Sequence, residues 1–76
     1  MFFKKPKFVL RIKKANRQTI VRARLSAGFG KMVFNAMKGS DIIQELDFLC
    51  ESKGVFIKMR SVTTEEATAA VIDSLL

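Results

Sequence analysis

The stretch FVLRIKKANRQTIVRARL, residues 8 to 25, alternates apolar with basic residues on both sides of a short polar break. Residues two apart share a face of a β-strand, so such alternation demands one buried face and one solvated face. Phe8, Leu10 and Ile12 fall on one side of residues 8 to 13, and Val9, Arg11 and Lys13 on the other. Residues 19 to 25 repeat the pattern, with Val21, Ala23 and Leu25 opposite Ile20, Arg22 and Arg24. The spacing predicts a hairpin turning near Ala15-Asn16-Arg17. A third alternating run, Val55 to Val62, sets Val55, Ile57 and Met59 against Phe56, Lys58 and Arg60. It predicts another strand.

Between these runs the punctuation changes. Paired glycines in Ala27-Gly28-Phe29-Gly30 predict a loop, followed by a short strand over Lys31 to Asn35. That glycine pair lacks the spacing of a phosphate-binding loop, and no Lys-Ser or Lys-Thr follows it. Ser40 suits a helix N-cap, Asp41 suits the positive end of the helix, and Ile42, Ile43, Leu46, Leu49 and Cys50 make a stripe at helical spacing. Gly54 then reads as the stop. Thr63 and Glu66 have capping-box spacing ahead of Ala67, Ala70, Val71 and Leu75, which predicts a terminal helix. The expected order is strand, strand, short strand, helix, strand, helix. Residues 1–76 therefore read as one small α+β domain, an open-faced sandwich with a three- or four-stranded, mainly antiparallel sheet and two helices on one face.

Charge is divided along the chain. Residues 1 to 38 carry eleven Lys or Arg and no acid, whereas residues 39 to 76 carry three bases and seven acids. With helices covering one face of the sheet, Arg11, Lys13, Arg22, Arg24, Lys58 and Arg60 all point from the other face. Like charges packed on one sheet face repel, by tenths of a kcal/mol per opposed pair, roughly, and a polyanion offsets that repulsion. Phe56 lies among them as a stacking surface for an unpaired base.

Other classes lack their residues. The chain has no histidine and one cysteine, so an intrachain disulfide is impossible and a zinc site lacks its usual ligands. Cys50 on an apolar stripe reads as a small buried hydrophobe, and a reducing cytoplasmic setting is expected. General acid–base catalysis near neutral pH lacks its commonest group, and the acids are spaced as caps and solvent-facing helix charges. No enzyme activity, cofactor or metal is expected. Apolar runs are too short to span a bilayer, and Arg11, Lys13 and Lys14 interrupt what would be the apolar part of a signal peptide after Met1-Phe2-Phe3-Lys4-Lys5-Pro6-Lys7. No integral membrane association is expected, and that basic, aromatic start makes contact with a membrane surface only a minor alternative.

Phe34-Asn35-Ala36, Ser40 opening an apolar helix, Gly54 opening a strand and Glu65-Glu66-Ala67 opening a last helix resemble, in that order, the histidine-containing phosphocarrier proteins of the sugar phosphotransferase system (HPr). Ala15-Asn16-Arg17 is similar to the end of that family's first helix, which would make residues 6 to 17 helical. The resemblance implies an open-faced sandwich that docks other proteins, with Ser40 placed like the family's regulatory serine. It also excludes phosphoryl transfer here, because the family's phosphorylated histidine is absent.

The expected function is non-enzymatic nucleic-acid binding through the basic sheet face, by Arg11, Lys13, Arg22, Arg24, Phe56, Lys58 and Arg60. The alternative is a non-catalytic HPr-like adaptor or regulatory protein that docks a protein partner. Open strand edges also allow a homodimer.

Overall fold

The computed structural model describes residues 6–15, 17–38 and 42–75. The chain forms β1 (Lys7–Lys14), β2 (Arg17–Arg24), α1 (Phe29–Met37), β3 (Ile42–Cys50), a short 3-10 turn (Glu51–Lys53), β4 (Val55–Thr63) and α2 (Thr64–Asp73). Four strands make one antiparallel sheet in the order β2-β1-β3-β4. The α+β open-faced sandwich is therefore present, with four strands and two helices on one face.

The hairpin forms as its alternation requires. Lys7 pairs with Arg24 and Lys14 with Arg17, and the turn begins at Ala15 with φ of 40°. Residues 7–14 are strand, so the hairpin reading holds for this segment and a helical one does not. Asn16, which the turn assignment also used, lies outside the described residues.

Two elements differ from the expected order. Lys31 to Asn35 is part of α1, not a short strand, and Phe29 and Gly30 belong to the same helix rather than to a loop. Topology supplies the reason. β2 and β3 flank β1 and run parallel to each other, and parallel strands need a crossover across a sheet face, not a hairpin. A helix there aligns Phe29, Val33 and Met37 at intervals of four, all buried, whereas a strand would set Met32 and Phe34 against Val33.

The second correction is that the expected helix beyond Ser40 is β3. Ser40 and Asp41, its expected cap and first turn, lie outside the described residues. The helical stripe placed Ile42, Ile43, Leu46, Leu49 and Cys50 together but left Phe48 on the opposite side of the helix. As a strand, Leu46, Phe48 and Cys50 share a fully buried face, and Glu45 and Asp47 meet bases on the neighbouring strands. Gly54 still ends an element, taking φ of 68° after the 3-10 turn, a conformation that suits glycine.

The core lies between the sheet and the helices. Phe8, Phe29 and Phe48 form an aromatic cluster with ring centroids 5.0 to 5.9 Å apart, beside Leu10, Ile12, Ile43, Leu46, Val33 and Val71. Cys50 is buried and free, as a small hydrophobe. At the start of α2 the expected capping box is present. The Glu66 amide donates to Thr63 Oγ1 at 3.1 Å, and the Thr63 amide donates to Glu66 Oε1 at 3.2 Å. The end of α1 is tied to the sheet. Lys14 Nζ donates to the Met37 carbonyl at 2.8 Å and to the Lys38 carbonyl at 3.3 Å, placing a cation at the negative end of the helix. Burial, and then Arg17, lowers the Lys14 pKa from the ordinary lysine value.

β3 and β4 change faces together. Glu45 pairs with Arg60 and Ile43 with Val62, but Ile43 and Leu46 both point into the core, although they are three residues apart. Ser61 takes φ of 53° in the opposite strand, and Val62 also packs on the core. A left-handed conformation costs about 1–2 kcal/mol for a residue with a Cβ.

Two substitutions test this packing. Phe48→Ala should cost about 3–5 kcal/mol, a large share of the ~4–11 kcal/mol typical of a domain this size, and should collapse the thermal unfolding transition. Ser61→Val should unfold in urea with at least about 1 kcal/mol less stability than Ser61→Gly, because a β-branched side chain disfavours that φ.

Candidate nucleic-acid interface

The face of the sheet away from the helices carries one side chain in two from each strand. Because all three pairings are in simple register, these side chains form rows that cross the sheet. One row reads Arg22, Val9, Leu49, Phe56 from β2 to β4. The next reads Ile20, Arg11, Asp47, Lys58, and the third Gln18, Lys13, Glu45, Arg60. Arg24 and Lys7 pair beyond the first row. With strands roughly 4.8 Å apart, each row spans about 14 Å.

The register thus brings Arg11, Lys13, Arg22, Arg24, Phe56, Lys58 and Arg60 onto one face. Phe56 is 64% exposed there.

The face is not uniformly basic, however. Glu45 and Asp47, expected among solvated helix charges, stand in the middle of it because β3 is a strand. Arg11 donates through Nε and Nη2 to Asp47 Oδ2, the Nε bond measuring 2.7 Å. Lys13 Nζ lies 3.6 Å from Glu45 Oε2. Among the described residues, Arg22, Arg24, Lys58 and Arg60 have no ion pair. With Lys7, which shares this face, seven bases and two acids leave a net charge of +5, borne by the two edge strands and by Lys7 at one end of β1. The repulsion expected between crowded bases is therefore already relieved at the centre of the sheet by carboxylates. The six expected bases are on one face, but only four of them are free for phosphate.

Leu49 was also missed as a member of this face. It is 40% exposed, and with Ile20 at 45% and Phe56 it makes an apolar element among the charges. The signal was the alternation of Glu45, Asp47 and Leu49 against Leu46, Phe48 and Cys50, which the helical stripe overrode.

Among the described residues no group of three or more His, Cys, Asp or Glu is placed to hold a metal ion, and no helix is long and apolar enough to cross a membrane. The chain matches no protein-family model, and no curated protein or solved structure shows significant similarity to it.

The two ion pairs differ in worth. Arg11 and Asp47 are partly buried, with two guanidinium donors on the one oxygen Oδ2, whereas Lys13 and Glu45 are looser and more exposed. Alanine double-mutant cycles followed by urea unfolding should give a coupling of about 1–2 kcal/mol for Arg11–Asp47 and under about 0.5 kcal/mol for Lys13–Glu45.

Proposed function

We propose that this protein binds single-stranded nucleic acid on the open face of its sheet and has no catalytic role. The observation that carries this reading is the register, which collects unpaired Arg22, Arg24, Lys58 and Arg60 and an exposed Phe56 on one helix-free surface. Unpaired cations gain most from phosphate, because binding releases counterions condensed on the nucleic acid without first breaking an ion pair. Phe56 offers a π-face to a base, and four-stranded sheets with exposed aromatics are platforms for unpaired bases. Arg11 and Lys13, held by Asp47 and Glu45, serve this surface by shaping its centre.

A second reading is an adaptor that docks a protein partner, in an HPr-like frame without phosphoryl transfer. The exposure of Ile20, Leu49 and Phe56 within a charged rim favours it.

Titration of labelled oligothymidylate and oligouridylate against a salt series separates the two. Three or four phosphate contacts from the free bases should give a slope of log affinity on log salt of about −2 to −3, at about −0.7 per phosphate on a single strand. Phe56→Ala should weaken binding about 5- to 150-fold, from about 1–3 kcal/mol of stacking. Absence of binding at low salt would replace the nucleic-acid reading with the adaptor.

A further inference from the structure

The open face has an acid-rich half and an acid-free half. Asp47 lies directly opposite Lys58, and Glu45 opposite Arg60, so a phosphate on either base of β4 sits roughly one strand spacing, about 5 Å, from a carboxylate. Arg22 faces Val9 and Arg24 faces Lys7, with no acid in either pairing. At this end the sheet holds two neighbouring cavities. One, of about 460 Å³, is lined by Lys7, Phe8, Val9, Arg22, Ala23 and Arg24, so three cations and no acid border it. The other, of about 540 Å³, has a mainly apolar lining that includes Pro6, Val9 and Leu49, together with Lys7 and the acid Glu51. Val9 borders both, and the row that contains it continues through Leu49 to Phe56.

We infer, resting on the nucleic-acid reading above, that the strand crosses the sheet at this acid-free end, with phosphate held by Lys7, Arg22 and Arg24 and bases laid over Val9, Leu49 and Phe56. The split follows from electrostatics. A phosphate gains from three cations in the first cavity and is repelled by Glu51 in the second, whereas a base is neutral and loses nothing there. Lys58 and Arg60 stand instead beside the neutral Arg11–Asp47 and Lys13–Glu45 pairs, so a phosphate there meets two free cations with two carboxylates inside a Debye length of about 8 Å, where the first cavity offers three cations and no acid. The bound strand therefore runs across the β-strands and not along them, and β4 contributes its phenyl ring more than its charges.

The test compares Arg22→Ala/Arg24→Ala with Lys58→Ala/Arg60→Ala, using the labelled oligouridylate and the same salt series. All four side chains are exposed, so both variants should keep the circular dichroism and melting of the parent. Loss of the β2 pair should weaken binding about tenfold or more and make the salt slope shallower by about 1.4, while loss of the β4 pair should change affinity by less than about threefold. Equal losses, or a larger loss from the β4 pair, would overturn this placement and leave the nucleic-acid reading standing. Failure of the parent protein itself to bind at low salt would remove both.

Discussion

The pairing of β1 with β3 is the interaction on which the structure depends. These are the central strands, and their register places Leu10 beside Phe48 and Ile12 beside Leu46 on the buried side, while Arg11 meets Asp47 and Lys13 meets Glu45 on the open side. A slip of one residue would turn every side chain of the moving strand to the other face, exposing Phe48 and burying Asp47. Both layers oppose that slip. The apolar layer does so by area removed from water, and the ionic layer by charge complementarity that is local and directional.

Much of this was written in the sequence, for a definite reason. Strands β1, β2 and, as far as Arg60, β4 set their basic residues on one face opposite an apolar one, a pattern that a half-buried strand accommodates. The cap of α2 was equally legible, because Thr63 and Glu66 have the spacing of a capping box directly ahead of an apolar helical stripe. β3 and α1 were not, and the two errors share a cause. Ile42 to Cys50 carries apolar residues that satisfy both a helical and a strand period, and Lys31 to Asn35 is too short to declare one. Which of the two ambiguous segments becomes helix is decided by connectivity, since one of them must carry the chain across β1 between parallel neighbours.

The same ambiguity hid part of the candidate site. All seven predicted residues were legible because they come from the alternating strands, and their shared face follows from parity alone. Glu45, Asp47 and Leu49 were not, since their strand was read as a helix. Their arrival changes the physics of the face from a uniform positive field to two charged borders around a neutral middle. Attraction at long range then depends on the net charge, whereas placement at short range depends on where the carboxylates stand.

The joint change of face in β3 and β4 near Ser61 has a further consequence. On the far side of it Ile43 and Val62 turn to the core, so the regular succession of outward rows stops after the row that holds Glu45 and Arg60. The platform has a built-in seam. Its regular part is counted in three full rows, set by the backbone and not by any side chain, and past Ser61 the outward positions fall to the other parity, where Ile42 is 49% exposed and Ile43 is buried.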